Sequence, residues 1–390
     1  MNVLIAGYAR TPYAKINGAL SSLTAVQLGA VAVKQALLNS GLSAHHVDQV
    51  IGGQVIQAGA GQNPARQSAV AAGIGNNVPA VTINSVCLSG ADAVIQACQL
   101  IELGQAHVVV VVGQESMSNS PHAVQGSRAG KKFGPITMID TLEIDGLTDA
   151  FTGESMGLAT QKVTAAAGIT REQQDRLAAE SHARAAASRV WVSSEIAPVT
   201  IGSRSGDIVV SEDDGIREQT SMESLGALRP AFTKDGTITA GNSSPLTDGA
   251  ASLVLMSPEF SAKYDMNPIG KIVGYAKVAG PDYSLNLQPS NAILAALKRA
   301  GKTVADLNQI EINEAFAAVG VASTEALGIS SDRVNIDGGA IALGHPIGSS
   351  GTRIVGHLAR NLRREGPGAL GAIGICGGGG QGVAVLVESL

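Results

Sequence analysis

The sequence predicts an α/β protein built from two similar halves with a long insertion. Three observations carry this. Short apolar runs of strand length alternate with helix-length amphipathic segments, the pattern of parallel βαβ units. Residues 41–54 (GLSAHHVDQVIGGQ) align without a gap with residues 301–314 (GKTVADLNQIEINE), an offset of 260. Residues 117–248 break the pattern and are richer in charge and turn residues. A chain of 390 residues, 45% hydrophobic and 15% charged with 48 glycines, suits a large core with many tight connections.

The elements follow in order. The first half opens with a strand, Val3–Tyr8, then a helix over 24–39; the second opens with Ile272–Tyr275 and a helix over 290–300. In the alignment Gly41 meets Gly301, Val47 meets Leu307, Gln49 meets Gln309 and Val50 meets Ile310. The first half continues with a strand at Ala80–Asn84, a helix at Ala91–Leu103 and a strand at His107–Val112. Ser89 and Asp92 fit a capping box for that helix. The second half continues with a strand at Gln309–Ile312, a helix at Ser350–Arg364 and a strand at Ala369–Ile375. Each half closes on an apolar strand, Ala251–Met256 and Gly382–Val387. These strands and the helix after Cys87 are apolar nearly all round, so they belong inside, covered on both faces. In the insertion, Thr170-Arg-Glu-Gln173 is a capping box opening a helix to Trp191. The domains read as 1–116 with 249–267, an inserted 117–248, and 268–390; an insertion this long covers a site or forms an interface.

The net charge of −5 argues against a nucleic-acid surface. The one basic cluster, Arg128–Lys132, reads as a solvated loop or a phosphate contact. No run of about 20 apolar residues reads as a membrane span. The N-terminus has no secretory signal pattern. Three cysteines argue against a disulfide framework and for a reducing compartment, read as the cytoplasm. No Cys/His spacing suggests a metal site.

Three glycine-flanked segments carry candidate chemistry: Asn84-Ser-Val-Cys87-Leu-Ser-Gly90, Gly338–Gly348 with His345, and Gly374-Ile-Cys376 followed by four glycines. Cysteine and histidine supply a nucleophile and a proton carrier usable near neutral pH. Cys87 precedes a helix start, where free amides and the helix dipole favour a thiolate, so its pKa is expected below the free value of about 8.5. A buried structural thiol, as read for Cys98, is the competing account. His345 is aimed by Pro346 or is merely a loop histidine tied to a carbonyl. The remaining histidines lack such framing. Gly377–Gly380 form either an oxyanion hole or a phosphate loop, and the latter lacks its Gly-Lys-Ser/Thr ending. Asn313 lies at the ligand-holding end of an α/β strand or simply caps the next helix.

Together these segments resemble the thiolase family over nearly the whole chain. NSVCLSG, NEAFA, GGAIALGHPIGSSG and GICGGGGQG match its four catalytic motifs, in family order. VGQESMS and GTITAGNSSPLTDGAA match further segments. The nearest similarity is to biosynthetic-type acetyl-CoA acetyltransferases. The resemblance implies two βαβαβαββ halves in a five-layer α-β-α-β-α arrangement with an inserted loop domain. It implies that Cys87 takes up the acyl group, that His345 activates it, and that His345 and a water on Asn313 hold the thioester oxygen. Cys376 is then the acid/base at the α-carbon, and the amides of Cys87 and Gly378 hold the acyl-enzyme oxyanion. Met156, Arg217, Phe232, Ser244 and Phe316 fall at coenzyme A contact positions. The substrate is a coenzyme A thioester, with no permanently bound cofactor, and a homodimer or homotetramer is implied. Leu88, Ser155, Pro245 and the segment 280–290 depart from the short-chain pattern and leave chain length open. A degradative 3-ketoacyl-CoA thiolase and a non-catalytic acyl-CoA binding scaffold are the alternatives.

Overall fold

The computed structural model describes residues 2–204 and 206–390; Met1 and Ser205 lie outside the described residues. The first half runs β1 (Val3–Arg10), α1 (Ala25–Ser40), β2 (Gln49–Gly53), α2 (Pro64–Ala71), β3 (Ala80–Ile83), α3 (Ser89–Glu102) and β4 (Val108–Glu115). The insertion contains α4 (Met156–Ala166) and α5 (Arg171–Ala187), and β5 (Thr247–Met256) completes the half. The second half runs β6 (Gly270–Ala279), α6 (Gln288–Ala300), β7 (Gln309–Ile312), α7 (Ala317–Leu327), α8 (Ser350–Leu362), β8 (Leu370–Gly377) and β9 (Gln381–Glu388).

The repeat is visible residue by residue. Thr24 caps α1 with a capping box, and α1 and α6 end on left-handed glycines, Gly41 at φ 69° and Gly301 at φ 66°. Glycine carries no Cβ penalty there, which is why both copies retain it. A short 3₁₀ turn follows each, at 44–46 and 304–306. The second half departs at one place. Where β3 stands in the first half, the second has only a single bridge, Val334 to Ile310. The Asn335 side chain substitutes for a neighbouring strand there, accepting from the Ile312 amide and donating to its carbonyl, both at 2.8 Å.

The strands form one hydrogen-bonded path, β7-β8-β9-β6-β1-β5-β4-β2-β3. The halves join where Val3–Ile5 of β1 pairs antiparallel with Gly270–Ile272 of β6. β2 is parallel to β3 and β4, and β7 to β8; the closing strands β5 and β9 run antiparallel. Helices α3 and α8 pack between the halves, with one core cluster uniting Val94, Ile95 and Cys98 of α3, Ile354 and Leu358 of α8, and strand residues of both halves. Outer helices cover the other faces, α1 and α2 over the first half, α6 over the second. This is a five-layer α-β-α-β-α order. The strands β4, β5 and β8 are buried throughout, as their continuous apolar runs require.

Candidate active site

Cys87 and His345 stand at equivalent places, in the turns that lead into α3 and α8. These central helices approach through glycine. A Cβ on Gly351 would lie 2.3 Å from the Ala91 nitrogen, and one on Gly90 would lie 2.7 Å from the Thr352 nitrogen. Bare backbone permits that approach, which brings the two loops together.

The Cys87 turn is strained. Val86 has φ 54°, a left-handed conformation that a β-branched residue avoids and that costs about 1–3 kcal/mol. Hydrogen bonds hold it. Asn84 Oδ1 accepts from the Val86 amide at 2.9 Å. The Ser89 hydroxyl donates to the Val86 carbonyl at 2.6 Å and accepts from the Ser85 amide at 2.9 Å. The expected Ser89/Asp92 capping box is therefore absent: α3 is capped at Leu88 without a side-chain bond, because Ser89 fastens the turn instead. Asp92 accepts from the Ser85 hydroxyl at 2.7 Å and pairs with Lys277 of the other half.

A cavity of about 400 Å³ opens over this turn. Cys87, His345, Cys376 and Gly378 all line it, so three loops separated widely in sequence converge on one space. Cys376 is the penultimate residue of β8 and is 1% exposed; Cys87 is half-buried. The amides of Cys87 and Gly378 both point at the Cys87 sulfur. The walls are mostly apolar, with Met156, Phe232, Leu285, Phe316 and Ile347 prominent. Phe232 lies on Gly157, where a Cβ would come within 2.0 Å of its ring, and meets Phe316 edge-on at 6.2 Å. Ser244 is held beside Ala315, donating to its carbonyl from the amide at 3.1 Å and from the hydroxyl at 3.0 Å.

His345 is fixed on three sides. Its amide donates to Thr247 Oγ1 at 3.1 Å. Its Nδ1 meets the Ser350 hydroxyl at 2.6 Å, and that hydroxyl also reaches the Pro346 carbonyl at 3.2 Å. The network assigns the hydroxyl proton to Pro346 and the ring proton to Nδ1, leaving a lone pair on Nε2. Asn313 Nδ2 stands 3.4 Å from that Nε2. Asn313 is fully buried and does not line the cavity wall, and its Oδ1 has no hydrogen-bond partner. An orphaned buried acceptor is costly, about 1–3 kcal/mol, and leaves Oδ1 free to accept from a water or ligand.

Protonation follows burial. Burial, aided by the nearby Arg353 guanidinium, pushes His345 down to about 3, so the ring is neutral at pH 7. Burial pushes the Cys87 thiol up to about 12 despite the two amides that favour its anion. The expectation of a lowered Cys87 value is thus overturned: desolvation outweighs the helix terminus. Cys376 is also pushed well up, first by burial and then by the adjacent Cys87. A neutral thiol beside a neutral imidazole forms a nucleophile only as the proton moves.

Two residues singled out in the sequence lie outside the cavity. Arg217 is exposed and outside the cavity, its amide donating to His182 Nδ1 at 3.2 Å. Leu88, one of the departures that left chain length open, is 2% exposed and packs in the central core. A Cβ on Gly377 would lie 2.6 Å from it, so Leu88 supports the glycine run from behind. Sequence reasoning missed Ser350, whose signal is its place one helical turn after Pro346. It also missed Leu285 and the single π-turn Glu143–Leu147 on the cavity rim. Glu115 was missed as well: it binds the amides of Val55, Ile56 and Gly348 at 3.0–3.1 Å, tying two loops behind Cys87, and burial pushes it up to about 8.

Residues 3–259 match the family model described as thiolase, N-terminal domain, and residues 266–389 match that for thiolase, C-terminal domain. The chain belongs to the thiolase family. Among curated thiolase relatives, a probable acetyl-CoA acetyltransferase of Mycobacterium tuberculosis is 48% identical over 100% of this chain and 99% of its own. The acetyl-CoA acetyltransferase of Chromobacterium violaceum is 44% identical, with 100% of both chains covered. Among solved structures, human mitochondrial 3-ketoacyl-CoA thiolase superposes with a TM-score of 0.96 at 37% identity, covering 100% of this chain and 99% of that one. The thiolase fold and acyltransferase class expected from the motifs are thereby established. Among the described residues, no helix is long and apolar enough to cross a membrane.

Proposed function

We propose that this thiolase is an acetyl-CoA C-acetyltransferase, joining two acetyl-CoA molecules into acetoacetyl-CoA and free coenzyme A, reversibly, through an acyl-enzyme. The observation that carries this is the convergence of two thiols, one neutral imidazole and two amides on one apolar cavity. In this account His345 Nε2 takes the Cys87 proton as the sulfur attacks the thioester carbonyl. The first coenzyme A leaves as its thiol, and the acetyl group remains on Cys87. The amides of Cys87 and Gly378 hold the oxyanion, one such donor being worth about 3–4 kcal/mol. Cys376 first gives its proton to the neutral His345, and the thiolate so formed removes a proton from the α-carbon of the second acetyl-CoA; that carbon attacks the acyl-enzyme, and Cys87 leaves with the proton held on His345. Its high pKa suits a base that works only while the enolate forms. The orphaned Asn313 Oδ1 fits a water that, with His345, holds the thioester oxygen.

Met156, Phe232, Ser244 and Phe316 then border the pantetheine arm, and Arg217 meets the nucleotide end from outside. The reaction is placed in the cytoplasm. Copies of the chain associate through β3, which has β2 on one side and no strand on the other among the described residues, with Val81 exposed. Light scattering tests this, and a stable monomer contradicts it. Thiolysis rates with acetoacetyl-CoA and with a straight-chain C8 3-ketoacyl-CoA test the substrate. A clear preference for acetoacetyl-CoA is expected; preference for the long chain makes the enzyme a degradative thiolase. No acetyl adduct on Cys87 after incubation with acetyl-CoA makes it a binding scaffold.

A further inference from the structure

Phe151 and Tyr283 are 69% and 45% exposed, yet they stack in parallel with centroids 4.7 Å apart and planes 7° apart. They come from different halves of the fold's cover. Phe151 sits at the tip of a tight turn in the insertion. There Thr148 bridges Ser155, the Asp149 amide donates to the Glu154 carbonyl at 2.8 Å, and Asp149 Oδ1 accepts the amides of Phe151 and Thr152 at 3.1 and 2.8 Å. Met156 follows that turn directly and lines the cavity. Tyr283 lies in the second half, two residues before Leu285, which is buried in one cluster with Cys376, Ala315 and Val319. Met156 packs against this same cluster.

The glycine run after Cys376 lies between the two rings and the cavity. A Cβ on Gly379 would meet the Phe151 ring at 3.4 Å. One on Gly380 would lie 2.8 Å from Tyr283 Cα, and one on Gly378 would lie 3.9 Å from Met156 Sδ. The Gly280 amide donates to the Gly380 carbonyl at 2.9 Å, which seats the Tyr283 segment on the run.

We propose that the Phe151–Tyr283 stack is a clasp that limits the acyl group at Cys87 to two carbons by holding Met156 against the Leu285 wall. The inference rests on the acyl-transfer reading above. Met156 and Leu285 belong to segments joined only through a long stretch of chain, and the stack ties their outer lips across the glycine run. Stacking is specific to two flat faces, so an alanine on either side releases it. Released, the Phe151 turn retains only its internal hydrogen bonds, and Met156 is free to retreat. The space gained lies beside Gly378, next to the sulfur that carries the acyl group, where further methylenes of a straight chain would extend. The clasp acts through other residues, so Phe151 and Tyr283 are positioning residues.

The test is thiolysis of acetoacetyl-CoA and 3-ketohexanoyl-CoA by the wild type, Phe151→Ala, Tyr283→Ala and Tyr283→Phe. The ratio of kcat/KM for the six-carbon to the four-carbon substrate is expected to rise roughly tenfold in each alanine variant, the scale of a pocket gaining room for a methylene or two. Tyr283→Phe keeps the stack and the wild-type ratio. The double alanine variant gains no more than either single one, because both remove the same contact. Phe151→Leu, which keeps bulk without a flat face, shifts the ratio as alanine does and serves if an alanine variant is insoluble. An unchanged ratio in folded Phe151→Ala or Phe151→Leu overturns the clasp. A wild type unable to cleave acetoacetyl-CoA overturns the functional reading instead.

Discussion

The two halves share a backbone plan and differ in what stands at the ends of their strands. Counting from the strand starts Val108 and Leu370, Gln114 of β4 is the counterpart of Cys376 of β8. Gln114 is locked: its Nε2 donates to Gln54 Oε1 at 2.9 Å and its Oε1 accepts from the Ser68 hydroxyl at 2.6 Å. A Cβ on Gly29 would lie 1.8 Å from Gln114 Oε1, so helix α1 seals that end. In the second half the equivalent end carries a thiol, an unpaired Asn313 oxygen and an open cavity. One copy spends its polar groups on each other; the other leaves them for a ligand. The first half contributes its chemistry from the next loop, where the strained Val86 turn presents Cys87 across the central helices. A duplicated fold thus makes one asymmetric site, with a more accessible thiol from one copy and a buried thiol from the other.

The comparison breaks most sharply at Cys87. Cys87→Ala is expected to abolish the acetyl adduct seen by intact-protein mass spectrometry, while Cys98→Ala, within the helix α3 that Cys87 leads into, leaves it in place. Persistent acetylation of Cys87→Ala would remove the first half from the chemistry. Asn313→Ala is expected to lower kcat by about 10²–10³-fold with little change in thermal stability, since the water that donates to the thioester oxygen loses its holder; a stability loss without a rate loss would make Asn313 an ordinary core residue. Gln114→Ala should do the opposite. It strands Gln54 Oε1 and costs about 1–3 kcal/mol of stability, while the rate per folded molecule stays near wild type.

A last prediction concerns the charges that pin the insertion to the second half. Against the pull of burial, Glu195 and Asp337 hold His357 up at about 9, with Glu195 at 3.0 Å and Asp337 at 3.5 Å. The same contact holds Asp337 down at about 2 against burial. A histidine raised from 6.5 contributes stability that is complete below about pH 6.5 and is lost as pH rises through about 9. The melting temperature is therefore expected to fall between pH 7 and pH 9.5, and His357→Gln should flatten that slope while lowering stability at pH 7. An unchanged alkaline slope in the variant would place the titrating group elsewhere.

The repeat was legible because its signals are local. Left-handed ends at Gly41 and Gly301 demand glycine in both copies, and the Thr170 capping box is written in four consecutive residues. The catalytic segments were legible through their glycines, which permit the approach of Gly90 and Gly351 and the run at 377–380. What depended on three dimensions was not. The Cys87 thiol was expected low from its helix position, but desolvation by the surrounding layers pushes it up. Ser89 looked like a cap until the Val86 turn claimed it. Leu88 departs from the family pattern, but its place is set by the central core. The stacking of Phe151 on Tyr283 joins segments with no shared periodicity.

The central claim is the division of labour between the two thiols, and Cys376→Ala tests it most directly when both half-reactions are measured on one preparation. Acetylation of Cys87 by acetyl-CoA, followed by mass spectrometry, should proceed near the wild-type rate, while acetoacetyl-CoA formation falls by about 10²–10⁴-fold for loss of a positioned base. Equal loss of both half-reactions in a folded variant would contradict the account.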